Sequence, residues 1–143
     1  MKSVGRLSIL ALVVLFLAAK LAAAEVPIVR FGKALATIQI GSAASEQEKF
    51  AAEEIQTFIR NFTHVKLTVV TNRDQTSTPT VIVLGTPTSN PTINALLTEV
   101  DPNLGTEGYS IDTIGLVEEI VITIAAHTAR GVIHGAYAFV EAC

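Results

Sequence analysis

Apolar side chains recur along this chain with two periods, and the alternation of the two outlines a mixed α/β unit. Pro27–Phe31 and Ala36–Ile40 read as strands joined by a turn at Gly32-Lys33. Ser45-Glu46-Gln47-Glu48 then has the capping-box spacing, in which a hydroxyl and a carboxylate satisfy each other's orphan backbone donors at a helix start. Ala51, Ile55, Phe58, Ile59 and Phe62 follow at helical intervals, with Glu46, Glu53, Glu54 and Arg60 on the other side. This predicts an amphipathic helix with Phe62 buried. Val65–Val70 is a β-branched run expected to form a strand, and Thr71–Pro79 is a polar loop.

The second half repeats the theme. Val81-Ile82-Val83-Leu84 is apolar without alternation, as a central strand covered on both faces requires. Gly85-Thr86-Pro87 ends it. Asn90-Pro91 opens a short helix, Pro being favoured at the first helical position, and Leu96, Leu97 and Val100 supply its apolar side. Glu107–Thr113 alternates, with Tyr109 and Ile111 facing one way and Ser110 and Asp112 the other. Ile120, Ile122 and Ile124 share one face of the next strand. In the final helix, Val132, Ile133, Ala136, Tyr137, Phe139 and Val140 fall on one arc, opposite His127, Arg130, His134 and Glu141. The order β-β-α-β-β-α-β-β-α predicts a single α/β (α+β-like) domain, with a mixed sheet of about five to six strands covered by two to three helices.

The amino terminus carries a different message. Lys2 and Arg6 precede an apolar run from Leu7 to Ala19, and Ala22-Ala23-Ala24 offers a small-residue cleavage site before Glu25. The run is shorter than the ~20 apolar residues a membrane span needs. Residues 1–24 are therefore expected to be a signal peptide and residues 25–143 the mature domain, secreted or periplasmic, with no membrane association after cleavage. Removing 1–24 takes away Lys2, Arg6 and Lys20 but no acid, leaving seven basic against 13 acidic side chains and a formal charge near −6. Without a basic cluster to displace counterions, nucleic acid is not an expected partner. Cys143 has no partner for an internal disulfide, and a lone Cys at a chain end marks a cut more readily than a nucleophile.

Candidate chemistry is sparse. Glu53-Glu54 and Glu118-Glu119 are sequence neighbours on a helix's polar side and at a turn, not a pair facing each other across a cleft as glycosidic hydrolysis needs. His127 and His134 are read as sharing one helix face at seven-residue spacing, which does not match the three- or four-residue spacing of helical zinc ligands. Gly85-Thr86-Pro87-Thr88 lies between a strand and a helix, where anions bind readily. It lacks the Lys and extra glycines of a phosphate loop, so a turn is the favoured reading. Gly131 and Gly135, one helical turn apart, point to close packing of helix on sheet rather than a ligand approach. Asn61-Phe62-Thr63 is a glycosylation sequon in a eukaryotic secretory route. No catalytic, cofactor-binding or metal-ligating residue is assigned.

Leu84-Gly85 closing a buried strand, a short helix, Glu107-Gly108-Tyr109-Ser110-Ile111, then Ile120–Ala125, then Arg130-Gly131-Val132-Ile133-His134-Gly135-Ala136-Tyr137 follow one another in an order that resembles a known accessory domain. This is the amino-terminal α/β domain of several glycoside hydrolases. The likeness is greatest to family 67 α-glucuronidases and extends to the related domains of family 20 and family 84 enzymes. It covers roughly Val26 to Val140. Such domains often carry Tyr before the second helical glycine, where this chain has His134, on the arc read as exposed. The resemblance implies a zincin-like, hexosaminidase N-domain-like fold and a non-catalytic role beside a catalytic barrel. No barrel is read in these 143 residues, so the reactive machinery and the barrel partner are expected elsewhere. The alternative is a stand-alone secreted module that binds carbohydrate or protein. With no Trp, two Tyr and six Phe, one of them Phe16 in the leader, a lectin-like stacking surface is disfavoured.

Overall fold

The computed structural model describes residues 25–143; the expected leader, residues 1–24, lies outside the described residues. The elements run β1 (Val29–Arg30), β2 (Lys33–Ala34), β3 (Ala36–Gln39), α1 (Glu46–Thr63), β4 (Thr68–Val70), β5 (Thr80–Gly85), α2 (Pro91–Leu96), β6 (Ser110–Gly115), β7 (Ile120–Ala125) and α3 (Ala129–Ala142). The main sheet has five strands in the order β4-β3-β5-β7-β6. β4, β3, β5 and β7 are parallel, and β6 is antiparallel to β7, so the sheet is mixed as expected. β1 and β2 form a separate two-stranded ribbon.

The sheet is covered on both faces. Ile38, Ile82, Leu84, Ile122 and Ile124 join Ala51, Ala52, Ile55 and Ile59 of α1 and Val132, Ala136, Phe139 and Val140 of α3. The alternate residues Val81, Val83, Val121 and Ala125 pack with Ile93 of α2, Val100 and the partly buried Leu96, Leu97, Leu104 and Ile114. The unbroken apolar run Val81–Leu84 is buried from both sides for this reason. α1 starts on the capping box: the Glu48 amide donates to Ser45 Oγ at 3.3 Å and the Ser45 amide to Glu48 Oε2 at 2.7 Å. It ends at His64, in the left-handed region with φ 59°, whose N–H reaches the Arg60 carbonyl.

Several boundaries differ from the sequence expectation. The first turn is centred on Phe31-Gly32, not Gly32-Lys33, because Val29 pairs with Ala34 and Arg30 with Lys33. The strand expected over Val65–Val70 shrinks to Thr68–Val70. Leu67 is buried but its carbonyl accepts from Gln56 Nε2 at 2.7 Å, so it bonds the helix rather than a neighbouring strand. α2 stops at Leu96, Leu97 turns extended, and its fully buried anchor is Ile93. Phe62 lies on the inward arc of α1 by angle, yet it is 74 % exposed. The last turn of the helix holds it outside the core, where its ring packs on Phe58 at a centroid distance of 4.6 Å.

Gly131 and Gly135 make the close approach their spacing predicted. A Cβ on Gly131 would lie 2.5 Å from the Gly108 carbonyl oxygen and 2.7 Å from Ala126 Cβ; one on Gly135 would lie 2.6 Å from Ile124 Cγ2. The absent methyls let α3 settle on β7 and on the segment entering β6, which offsets the ~1 kcal/mol helix cost of each glycine. Gly131→Ala is expected to lose about 1–3 kcal/mol through overpacking against backbone that cannot move aside. Gly115→Ala, with open space around its Cβ position, should stay within about 0.5 kcal/mol. Urea unfolding midpoints measure both.

Candidate functional site

β3 and β5 are parallel neighbours whose carboxyl ends lead in opposite directions. β3 continues to α1 on one face of the sheet, and β5 to α2 on the other. In open α/β sheets such a point opens a crevice beyond the strand ends, the usual place for a ligand. Here the chain fills it with its own groups. A Cβ on Gly41 would lie 1.8 Å from the Ser89 carbonyl oxygen, so the loops leaving β3 and β5 meet backbone to backbone. Gly85, with φ 148°, turns the chain where a Cβ would meet Asn90 Cβ at 2.8 Å.

The centre of the crevice is a carboxylate. Glu48 is 2 % exposed. Its Oε2 accepts from the Ser45 amide; its Oε1 accepts from the Thr86 amide at 3.2 Å and from the Ser89 hydroxyl in a short bond. Ser89 Oγ in turn accepts from the Thr86 amide at 3.0 Å and from the Thr86 hydroxyl, while the Ser89 amide donates to Thr86 Oγ1. Amides, a hydroxyl and the amino-terminal end of α1 stabilise the charge. Asn90, fully buried, donates to the Leu84 carbonyl at 2.9 Å and caps α2 by accepting from the Thr92 amide. Gln39 reaches Asn90 Oδ1 at 3.3 Å and the Ile40 carbonyl at 2.7 Å.

This arrangement explains the anion-friendly turn at Gly85–Thr88. Its Thr86 amide already holds an anion, the side chain of Glu48. Sequence reasoning found Glu48 only as a helix cap, since nothing local marks a carboxylate for use by a turn 38 residues away. Asn90 is legible in the sequence as a helix start, and nothing local marks Gln39. Beside the crevice lies a pocket of about 390 Å³ lined by Gln39, Ser42, Asn72, Arg73, Asn90 and Thr92. It offers amides and hydroxyls for hydrogen bonding, and the Arg73 guanidinium pairs with Glu119.

The other candidate residues are scattered. Glu53 is exposed, whereas Glu54 is half-buried and accepts from Tyr137 Oη at 3.3 Å. Glu118 is exposed, and its neighbour Glu119 is drawn aside to Arg73. His127 does not share a helix face with His134: α3 begins at Ala129 behind its cap Thr128, and His127 bonds the Asp101 carbonyl at 2.8 Å. His134 is half-buried rather than on an exposed arc. Among the described residues no three His, Cys, Asp or Glu side chains gather to hold a metal ion. Asn61 of the sequon is exposed, and the Phe62 beside it is exposed rather than buried. Burial pushes the Cys143 thiol up, away from the thiolate a nucleophile needs. Among the described residues no helix is long and apolar enough to cross a membrane.

Glu48→Ala is expected to cost about 2–4 kcal/mol, since it strands the Ser45 amide and removes the acceptor of the Ser89 hydroxyl, leaving the Thr86 amide only its bond to Ser89 Oγ. Glu53→Ala, on the exposed side of the same helix, should be neutral within about 0.5 kcal/mol; denaturant titration separates them. Tyr137 gives a pH signature. Desolvation first, then the Glu54 charge and hydrogen bond, raise its phenol above the ordinary 10.0. A raised acid holds its proton more tightly when folded. Its contribution is therefore complete below about pH 10 and is lost as pH climbs through the folded value. Glu54→Gln should move the Tyr137 ionisation down, read from tyrosinate absorbance in a chain with two tyrosines.

No curated protein sequence matches the chain closely enough to count as a relative. The described fold coincides instead with a family pattern. Residues 29–139, from the first strand of the ribbon to the buried Phe139 of α3, match the family described as glycosyl hydrolase family 67 N-terminus. With that match spanning most of its 143 residues, the chain belongs to the glycosyl hydrolase family 67 N-terminal domain family.

Proposed function

We propose that this chain is the non-catalytic amino-terminal module of an exported, α-glucuronidase-like hydrolase of plant or bacterial polysaccharide. In this reading it packs against a catalytic barrel and supports the substrate side of the enzyme. The observation that carries the proposal is the family match from β1 into α3, which takes in the whole sheet and ends at Phe139 within the last helix. The partly filled crevice is consistent with it. Part of the place where an α/β sheet would receive a substrate is occupied by Glu48 and Ser89, and Asn90 borders the polar pocket that remains. The carboxylates outside it are exposed or tied to Tyr137 and Arg73, not poised across a bond. Export rests on Lys2, Arg6, the run Leu7–Ala19 and the Ala22-Ala23-Ala24 site.

Two measurements test this. Aryl glycosides, aryl α-glucuronides included, should show no turnover with the purified full chain; turnover that survives purification and is lost with a carboxylate substitution would overturn the non-catalytic role. In a secreting host the exported product should begin at Glu25. A retained product beginning at Met1 would remove the export step.

A further inference from the structure

Three locally unfavourable choices meet at the tip of the β1–β2 ribbon. Phe31 and Gly32 are the two central residues of the hairpin, with φ 50° and 71°. Positive φ at both positions is the mark of a type I′ turn, which Asn, Asp or Gly adopt readily and a bulky side chain does not. Phe31 is also 95 % exposed, although large apolar side chains gain by burial. Arg30 and Lys33, both exposed, face each other directly across the ribbon, and like charges in that position repel. Among the described residues neither pairs with a carboxylate. They form a basic island on a domain that is acidic as a whole. Where several local rules are broken together without a compensating contact inside the fold, the compensation lies in function.

The ribbon is built to hold this tip still. Ile28, Val29 and Ala34 pack on the main core. The Leu35 amide donates to the Ile28 carbonyl at 2.9 Å, and the Thr80 amide to the Leu35 carbonyl at 3.0 Å. A Cβ on Gly32 would meet nothing within 4 Å, so the tip projects into open space. A rigid convex aromatic is suited to entering a concave site and pays little ordering entropy there. One ring flanked by two cations is too little for stable membrane anchoring, which takes a larger apolar face or a second signal.

We propose that this tip is the insertion anchor of the domain: Phe31 enters an apolar socket on a partner protein, and Arg30 and Lys33 meet carboxylates on the socket's rim. The proposal rests on the reading of the chain as an accessory module and names the surface through which it docks. The test uses the full chain and its variants Phe31→Asn and Arg30→Glu/Lys33→Glu. The probes are the catalytic barrel of a family 67 hydrolase, supplied as a separate polypeptide, and phosphatidylserine-containing vesicles. Asn suits the type I′ turn, so Phe31→Asn should raise Tm by a few degrees. The same variant should weaken binding to the barrel by about tenfold or more. The charge-reversed variant should weaken it more at low salt than at high salt. If the wild-type chain binds and Phe31→Asn binds equally well, the anchor falls while the module reading stands. If the wild-type chain does not bind the barrel, both fall. A fall in Tm for Phe31→Asn would show that the ring serves the domain's own stability, and Phe31-dependent vesicle binding would make the tip a membrane contact; either result overturns the proposal.

Discussion

The carboxylate of Glu48 joins the two loops that leave the paired strands β3 and β5. One oxygen closes the capping box at the start of α1, and the other receives the amide and hydroxyl of the turn that leaves β5. Because α1 and α2 lie on opposite faces of the sheet, this one side chain fixes both layers relative to the strand ends between them. The link needs a backbone that comes close. Gly41 admits the Ser89 carbonyl, and Gly85 admits the Asn90 side chain. A buried carboxylate without a cation is tolerated because every contact it makes is a donor aimed at it.

That same link shapes the carboxyl end of the sheet. A parallel sheet with a change of direction between β3 and β5 is the architecture in which ligand sites commonly arise. In this chain the protein supplies its own anion to the turn amide and its own amides to the strand ends. What remains near the crevice is a modest polar pocket, lined in part by Arg73, whose Nη2 pairs with Glu119 while its buried Nη1 has no partner among the described residues. The polar groups of this cluster are thus turned inward to hold the fold. Its outward-facing peculiarities lie at the opposite end of the strands, where the ribbon enters the sheet. There an aromatic side chain is displayed on strained backbone between two cations. An exposed aromatic held on a ribbon that packs on the core suits the docking role proposed for it.

Much of this was legible along the chain because it depends on near neighbours. The Ser45–Glu48 spacing predicted a capping box, since its two hydrogen bonds close within one helical turn. Val81–Leu84 announced a strand covered on both faces by its lack of alternation. Gly131 and Gly135 announced a close helix approach because no other residue leaves that gap. The order of these motifs, more than any one of them, carried the likeness to the family that residues 29–139 match.

What the tertiary structure decided depends on groups far apart in sequence. Glu48 meets Thr86 and Ser89 only after β3 and β5 pair, so no local window can distinguish a cap from the keystone of a crevice. Phe62 has the angular position of a core residue, and only the position of the helix end relative to the sheet leaves it outside. Leu67 belongs to a β-branched run, yet its carbonyl bonds Gln56 of α1 instead of a neighbouring strand. His127 looked helical until Thr128 capped α3 behind it. Periodicity reports which side of an element is apolar; where that element begins, ends and meets its neighbours is settled by packing and by the competition of distant groups for the same hydrogen bonds.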